Sequence, residues 1–349
     1  MGNAAHMLAI TVKPLQAADA AAWDRFVFAC PHATFFHRAG WKDVIERAFG
    51  HRTHYLLATS GADIVGVLPL TEIKSRVFGH SLVSNAFCVY GGIAASSDQA
   101  RMALDNAAQE LARNLGVGHL EYRNLQPFHD DWPKQDLYFT FRKEIDPDVE
   151  KNMLAIPRKQ RAMVRKGIKN ELVSEIDEGV ERFFAVFAEN VKRHGTPALP
   201  KRYFALLKEV FGKDCEVLSV LQGGVVISSV LTFYFRDEVL PYYAGDSEAA
   251  RNLAANDFKY WELMRKACER GCRTFDYGRS KRGTGQFDFK SNWGFEPTPL
   301  HYEYFLVNAK SIPENNPTNP KYKLFIQMWR RLPISVANAL GPHIVKNLG

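Results

Sequence analysis

The chain has 349 residues, 46% of them apolar, which is enough for two cores, since a single one rarely grows past about 250 to 300 residues. No apolar run approaches the roughly 18 residues of a membrane span, and the N-terminus lacks the basic, apolar and small-residue pattern of a secretion signal. Five cysteines without a CxxC pair argue against a disulfide framework, and Cys268 and Cys272 have no His/Cys partners nearby, so a cytoplasmic protein without a metal is expected.

Residues 1–7 read as an added leader and are set aside from the fold. Trp41, at a helix start, is assigned to the core. Apolar runs at Tyr55 to Leu57 and Ile64 to Leu68 around Ser60-Gly61-Ala62-Asp63 read as a β-hairpin. An extended segment ending at Tyr90-Gly91-Gly92 follows. Next comes a helix with Leu104, Ala107, Ala108, Leu111 and Leu115 on one stripe, closed by Gly116, and then the strand His119-Leu120-Glu121-Tyr122-Arg123-Asn124. The order returns with Val217 to Leu221 and Val225 to Phe235 flanking Gln222-Gly223-Gly224. A segment ending at Tyr242-Tyr243-Ala244-Gly245 and a helix striped by Phe258, Trp261, Met264 and Cys268 follow. After Gly271, Thr274-Phe275-Asp276-Tyr277-Gly278-Arg279 stands 155 residues beyond the first such strand. One unit of hairpin, strand, helix and strand is therefore used twice. The expected division is a first domain over 8–150, a second over 151–310 and a tail over 311–349.

Charge is uneven. Lys151 to Asn170 contains seven Lys/Arg and no acid, equal to the whole net charge of +7. Pro157 suits a helix start, which puts Arg158, Arg161 and Arg165 along one side with Lys159 and Lys166 beside them. Guanidinium groups in a row suit phosphates, and ordinary surface helices intersperse both signs. A solvated helix is the alternative. Asn256 or Asp257 is read as capping the second unit's helix, with Tyr243 and Asp246 as substrate-binding candidates nearby. Ser280-Lys281-Arg282-Gly283-Thr284-Gly285-Gln286 is no P-loop, because GK[ST] is missing, and reads as a flexible basic loop. In the tail, Pro313, Pro317 and Pro320 mark a linker, and Leu324, Phe325, Met328, Trp329 and Leu332 carry Lys323, Arg330 and Arg331 on a helix that Pro333 interrupts. Two readings of this tail stand: peripheral contact with an anionic membrane, or packing back onto a domain.

The tandem unit, Phe35-Phe36-His37-Arg38-Ala39-Gly40-Trp41, the linker Pro157-Arg158-Lys159-Gln160-Arg161, and Phe275-Asp276-Tyr277-Gly278-Arg279 followed by Phe289-Lys290-Ser291-Asn292-Trp293-Gly294 resemble the FemAB group over about Leu8 to Leu306. Within that group, Trp329-Arg330-Arg331-Leu332-Pro333 and Leu340-Gly341-Pro342 are similar to the FemAB-related proteins of exosortase (PEP-CTERM) and exopolysaccharide systems. The resemblance implies an α+β chain of two tandem GNAT-like (acyl-CoA N-acyltransferase) domains, with mixed, mostly antiparallel sheets flanked by helices. It implies an acyltransferase that moves an acyl or aminoacyl group from aminoacyl-tRNA or acyl-CoA to an amine of a phosphate-bearing envelope precursor. No covalent enzyme intermediate and no tightly bound cofactor are implied. Lys290 corresponds to the lysine of the family's Phe-Lys pair and is the candidate for stabilising the tetrahedral oxyanion; the alternative is a surface lysine over Trp293. Asp276 is the candidate for orienting the amine or Lys290, and Arg279 for holding phosphate, against a plain Asp276 to Arg279 ion pair. Tyr277 and Phe289 complete the substrate-binding set, in a cleft expected between the domains. Glu121 and Arg123, the first copy's counterparts, read as structural. Two functions of other classes remain: a catalytically silent adaptor of an exosortase or exopolysaccharide system, and an RNA-binding protein without catalysis.

Overall fold

A computed structural model describes residues 9–76, 78–313 and 323–348, and the chain divides into two compact units. The leader 1–7 and the linker's Pro317 and Pro320 lie outside the described residues.

Unit 1 comprises β1 (Ile10–Pro14), α1 (Ala20–Ala29), α2 (Gly40–Phe49), β2 (Arg52–Thr53), β3 (Leu56–Ser60), β4 (Asp63–Leu68), β5 (Leu70–Ser75), β6 (Gly79–Ser84), β7 (Ala94–Ala95), α3 (Asp98–Leu115), β8 (His119–Asn124) and β9 (Lys134–Gln135). It also takes the chain's last strand, β18 (His301–Leu306). Its sheets run β1-β3-β4-β7 and β2-β5-β6-β8-β18-β9. The expected stripe on α3 is real: Leu104, Ala108 and Ala112 are fully buried against the sheet. Ser97 caps its start by accepting from the Ala100 N–H at 3.2 Å, and Gly116 ends it at φ +63, a conformation glycine adopts without penalty. The third strand of the first copy is β6, not a segment reaching Gly92. Asn85 and Phe87 adopt left-handed φ of 53° and 65°, which breaks the extended run. Trp41 is fully buried on α2, as expected.

Unit 2 comprises β10 (Tyr138–Glu144), α4 (Val149–Ala155), α5 (Arg158–Lys169), β11 (Val173–Asp177), α6 (Glu181–His194), α7 (Lys201–Phe211), β12 (Cys215–Gln222), β13 (Val225–Phe235), β14 (Glu238–Asp246), α8 (Ala250–Leu253), α9 (Ala255–Glu269), β15 (Thr274–Asp276), β16 (Ser280–Lys281), α10 (Gly285–Asn292), β17 (Pro297–Pro299), α11 (Lys323–Arg331) and α12 (Ile334–Val345). Its sheet runs β11-β12-β13-β14-β15-β10-β16, with β17 also on β10. The β12–β13 hairpin turns on Gly223 and Gly224, both at positive φ, as a tight two-residue turn requires.

In both units a helix joins two parallel strands, β6 to β8 through α3 and β14 to β15 through α9, so the duplicated unit is present. The expected boundary at residue 150 is corrected. Arg142, Lys143 and Glu144 of β10 pair with Asp276, Phe275 and Thr274, and Phe139 and Phe141 join the core of unit 2. Conversely, β18 pairs with β8 from His301↔Asn124 to Leu306↔His119, which assigns Leu300–Pro313 to unit 1. Each post-helix strand is thus completed by an antiparallel strand from beyond its own copy.

Candidate active site

The site forms where β14 and β15 part. The two strands pair only at Glu238↔Thr274 and Val239↔Phe275, and β14 then continues to Asp246 paired with β13 only. Two features of β14 cause this. Pro241 has no N–H to offer, and the register against β13 slips between Leu231 and Thr232, leaving Tyr242 as an extra residue that bends the strand.

Asp276 ends β15 with no solvent exposure. It accepts from the Gly278 N–H at 2.7 Å, from Thr140 Oγ1 at 3.3 Å and from the Arg142 guanidinium at 3.3 Å. Arg142 of β10 is therefore a cation of Asp276, and it also pairs with Glu238. Arg279 lies over the Tyr138 ring at 4.3 Å.

Gly278, at φ +64, turns the chain after β15. Lys290, on α10, is 8% exposed and donates to three successive carbonyls: Tyr277 at 2.7 Å, Gly278 at 3.0 Å and Arg279 at 3.2 Å. An ammonium has three protons, and all three are engaged. Burial pulls the Lys290 pKa down to about 7; the charge of Asp276 opposes this and that of Arg279 adds to it. The surface-lysine alternative is thereby corrected, and Lys290 lies on a helix that follows β15. The expected loop 280–286 is short. β16 takes Ser280 and Lys281, and Thr284 caps α10 by accepting from Phe287 N at 3.4 Å.

Tyr277 is buried against Tyr260, Phe275 and Phe295, with ring centroids 4.9, 4.8 and 4.6 Å away. Burial raises its phenol pKa well above the usual value. The Tyr277 hydroxyl and the buried Ser280 hydroxyl have no hydrogen-bond partner among the described residues. Leaving a buried hydroxyl unmatched costs about 1 to 3 kcal/mol, so two in one turn mark a place where a ligand's polar atoms would be rewarded. Phe289 is half-buried, 5.5 Å from Tyr260 and 5.9 Å from Trp293.

A second polar cluster sits at the free end of β14. Asp246 pairs with Lys259 at 2.9 Å, accepts from Ser228, and gives its carbonyl to Arg193 at 2.6 Å. Burial pushes the Asp246 pKa up, but Lys259, Ser228 and Arg193 outweigh it and hold the carboxyl below its ordinary value. Lys259 has no exposed surface. Tyr243 shares a hydrogen bond with Tyr203 at 3.0 Å. Neither Asn256 nor Asp257 caps α9. Ala254, at φ +58, occupies that position, and Asp257 accepts from Trp293 Nε1 at 3.0 Å.

Arg158, Arg161 and Arg165 lie on α5 as predicted. Val164 and Gly167 form the buried face, and a methyl on Gly167 would come within 2.7 Å of Phe258 Cβ. Arg158 and Arg165 are exposed, and Arg161 donates to the Leu154 carbonyl at 3.0 Å. Among the described residues no ion pair involves α5. Its start adjoins the end of α10, since a methyl on Gly294 would touch Pro157 Cγ at 3.4 Å.

Sequence reasoning missed Arg142, Thr140, Lys259, Ser228 and Arg193. Lys259 had a signal, a cation beside Phe258 on the apolar stripe of α9. In unit 1 the counterparts Glu121 and Arg123 form a buried ion pair at 2.8 Å, with Arg123 also donating to the Cys88 carbonyl at 2.7 Å, in keeping with a structural role.

Residues 155–291 match the acetyltransferase (GNAT) domain family model. A comparison with curated protein sequences gives no significant match. Among solved structures the chain is similar to FemX, with 14% identity, a TM-score of 0.68, and 91% of this chain and 100% of that one covered. It is also similar to the C-terminal domain of a putative lysylphosphatidylglycerol synthetase from Agrobacterium fabrum (14%, 0.58, 82% and 92%). A third is a tandem GNAT protein from the clavulanic acid biosynthesis pathway (13%, 0.53, 87% and 100%). The chain is an α+β protein with the tandem GNAT fold, and residues 155–291 carry its acetyltransferase-type domain.

Proposed function

We propose that this protein is a FemAB-like acyltransferase that moves an aminoacyl group from aminoacyl-tRNA to an amine of a phosphate-bearing cell-envelope or exopolysaccharide precursor. The observation that carries the reading is the turn after β15, where the buried Lys290 is held by three successive carbonyls near the point at which β14 and β15 part. Acyl transfer to an amine passes through a tetrahedral oxyanion, which a cation in a water-poor site stabilises far more than solvent does. Lys290 supplies that cation by releasing the Arg279 carbonyl, its longest bond at 3.2 Å, to the substrate oxygen. Asp276 holds the turn, through Arg142 and Gly278, so that the ammonium stays in place. Tyr277, Phe289 and Tyr243 border the substrate, and Asp246 is available to an incoming amine. Arg158, Arg161, Arg165 and Arg279 hold phosphates. Cations at a helix N-terminus oppose the helix dipole, so Arg158 and Arg161, which have no acidic partner among the described residues, favour an anionic ligand.

For the donor, acyl-CoA is the rival. A coenzyme A diphosphate needs backbone N–H groups at the N-terminus of the helix after the central strand. Here that junction, from β14 to α9, sets Asp246, Glu248 and Asp257 beside Arg251 and Lys259, so it offers a diphosphate no net positive charge. The tRNA ester has no such requirement. A relation to exosortase or exopolysaccharide systems rests on the segments Trp329-Arg330-Arg331-Leu332-Pro333 and Leu340-Gly341-Pro342.

The test is retention of radiolabelled mixed aminoacyl-tRNA on filters with excess acyl-CoA as competitor, followed by single-turnover transfer to amine acceptors. Retention that depends on the aminoacyl group and resists acyl-CoA is expected. Lys290→Ala should lower transfer about 100-fold or more while the protein stays folded, and retention of more than about a tenth of the rate would reject the oxyanion role. Retention indifferent to aminoacylation, or none, would reject the tRNA donor.

A further inference from the structure

The two C-terminal helices divide their apolar residues in an unusual way. Trp329 is 4% exposed, and on α12 Ala337 and Gly341, one turn apart, face inward. Gly341 approaches so closely that a methyl there would lie 3.0 Å from the Ala198 carbonyl oxygen. Arg330 donates to the His194 carbonyl at 3.3 Å, and Lys192 donates back to the Arg330 carbonyl at 3.0 Å. Helices α11 and α12 both pack on α6, so the tail is seated on unit 2. The packing-back reading therefore holds for one face of the pair.

Among the described residues the other face has no cover. On α11, Leu324 and Met328, one turn apart, are 68% and 61% exposed; on α12, Val336 and Leu340, one turn apart, are 39% and 48% exposed. Helices that already have a packing partner do not need these residues for folding. A soluble surface helix would carry charges there instead. The ionic residues of residues 323–348 are Lys323, Arg330, Arg331 and Lys346, with no acid among them. Among the described residues no helix is long and apolar enough to cross a membrane. An apolar face on two helices that themselves carry cations and no acid fits the boundary of an anionic bilayer, where side chains enter the acyl region and Lys and Arg meet lipid phosphates.

We propose that α11 and α12 form an interfacial docking surface for anionic lipid, with Leu324, Met328, Val336 and Leu340 entering the bilayer boundary. The occupant is a lipid surface; a second copy of the chain would be selected by apolar area alone and gains nothing from the cations of these two helices. The acyl-transfer reading explains why such a surface would be useful, but docking is measured without turnover, so the two can fail separately.

The test uses the full chain, because cutting off the tail would bare the face of α6 beneath it. Flotation is measured with vesicles of phosphatidylcholine alone and with one third phosphatidylglycerol, at low and moderate salt. Binding to the anionic vesicles that weakens with salt is expected. Leu324→Glu with Met328→Glu should reduce it about tenfold or more, since acids at the bilayer boundary are unfavourable and repelled by anionic lipid. Both residues are exposed, and an unchanged thermal melt confirms folding. No binding by the wild type, or binding that the double substitution leaves intact, would overturn the proposal. So would a concentration-dependent dimer in light scattering that the same substitution dissolves while lipid is ignored.

Discussion

Lys290 makes a quantitative statement about stability. Its pKa of about 7 in the folded protein lies below its ordinary 10.5, so between those values an unfolded chain keeps a proton that the folded protein has released. Stability must then rise with pH across that window and level off below about 7 and above about 10.5, where the two states bind protons equally. For these two values the gain between pH 7 and pH 9 is about 2 kcal/mol, from about 1.4 kcal/mol per unit of difference in protonation. Lys290→Met keeps the length of the stem and removes the titration. It also leaves the carbonyls of Tyr277, Gly278 and Arg279 without their donor, at a cost of about 1 kcal/mol each, while relieving a buried charge. Those terms oppose each other, so the absolute stability of the variant at one pH decides little. The slope decides. Urea midpoints of wild type and variant should be compared at pH 7, 8 and 9 with equal m-values. The wild type should gain about 2 kcal/mol over the variant across the series. Parallel pH profiles would show that Lys290 titrates alike in both states, and the near-neutral lysine would have to be abandoned.

The buried pair of Lys259 and Asp246 should be coupled: Lys259→Met alone should cost about 2 to 4 kcal/mol, somewhat under the value for breaking a fully buried pair because Asp246 is partly open. Adding Asp246→Asn should recover part of that loss in urea unfolding, and strict additivity of the two substitutions would show that the pair does not act as one. On α5, Arg158→Glu should stabilise unit 2 by about 0.3 to 1 kcal/mol through the helix dipole, while weakening retention of aminoacyl-tRNA on filters. A destabilised variant would mean that Arg158 has a structural partner in the folded protein.

The parts of the fold legible in the sequence were those fixed by local chemistry. Gly116 and Gly271 closed helices, Gly223-Gly224 turned a hairpin, Pro157 opened α5, and Pro333 separated α11 from α12. Each acts within a few residues. The boundary between the units was misplaced because nothing local marks it. Phe139-Thr140-Phe141-Arg142 alternates as any half-buried strand does, and only a partner 134 positions later decides which sheet it joins. The same distance concealed Arg142 as a cation of Asp276. Arg279, three residues away, is the candidate that the local sequence suggests, whereas Arg142 comes from β10 directly opposite.

The setting of Lys290 shows how a site can be half legible. Phe289-Lys290 and Tyr277-Gly278-Arg279 stand out as residues, but their relation depends on one backbone conformation. With Gly278 at φ +64, three successive carbonyls turn toward a single point, and α10 brings the ammonium to it. A residue with a Cβ at that position would resist the left-handed turn. The carbonyls would then diverge along an extended strand and leave the lysine with one partner in place of three. The Asp276 bond to the Gly278 N–H, at 2.7 Å, fixes the same turn from its other side. Acid, glycine and lysine therefore act as one device: the carboxylate holds the turn, the turn gathers the carbonyls, and the carbonyls hold a cation where burial makes it ready to lose its proton near neutral pH.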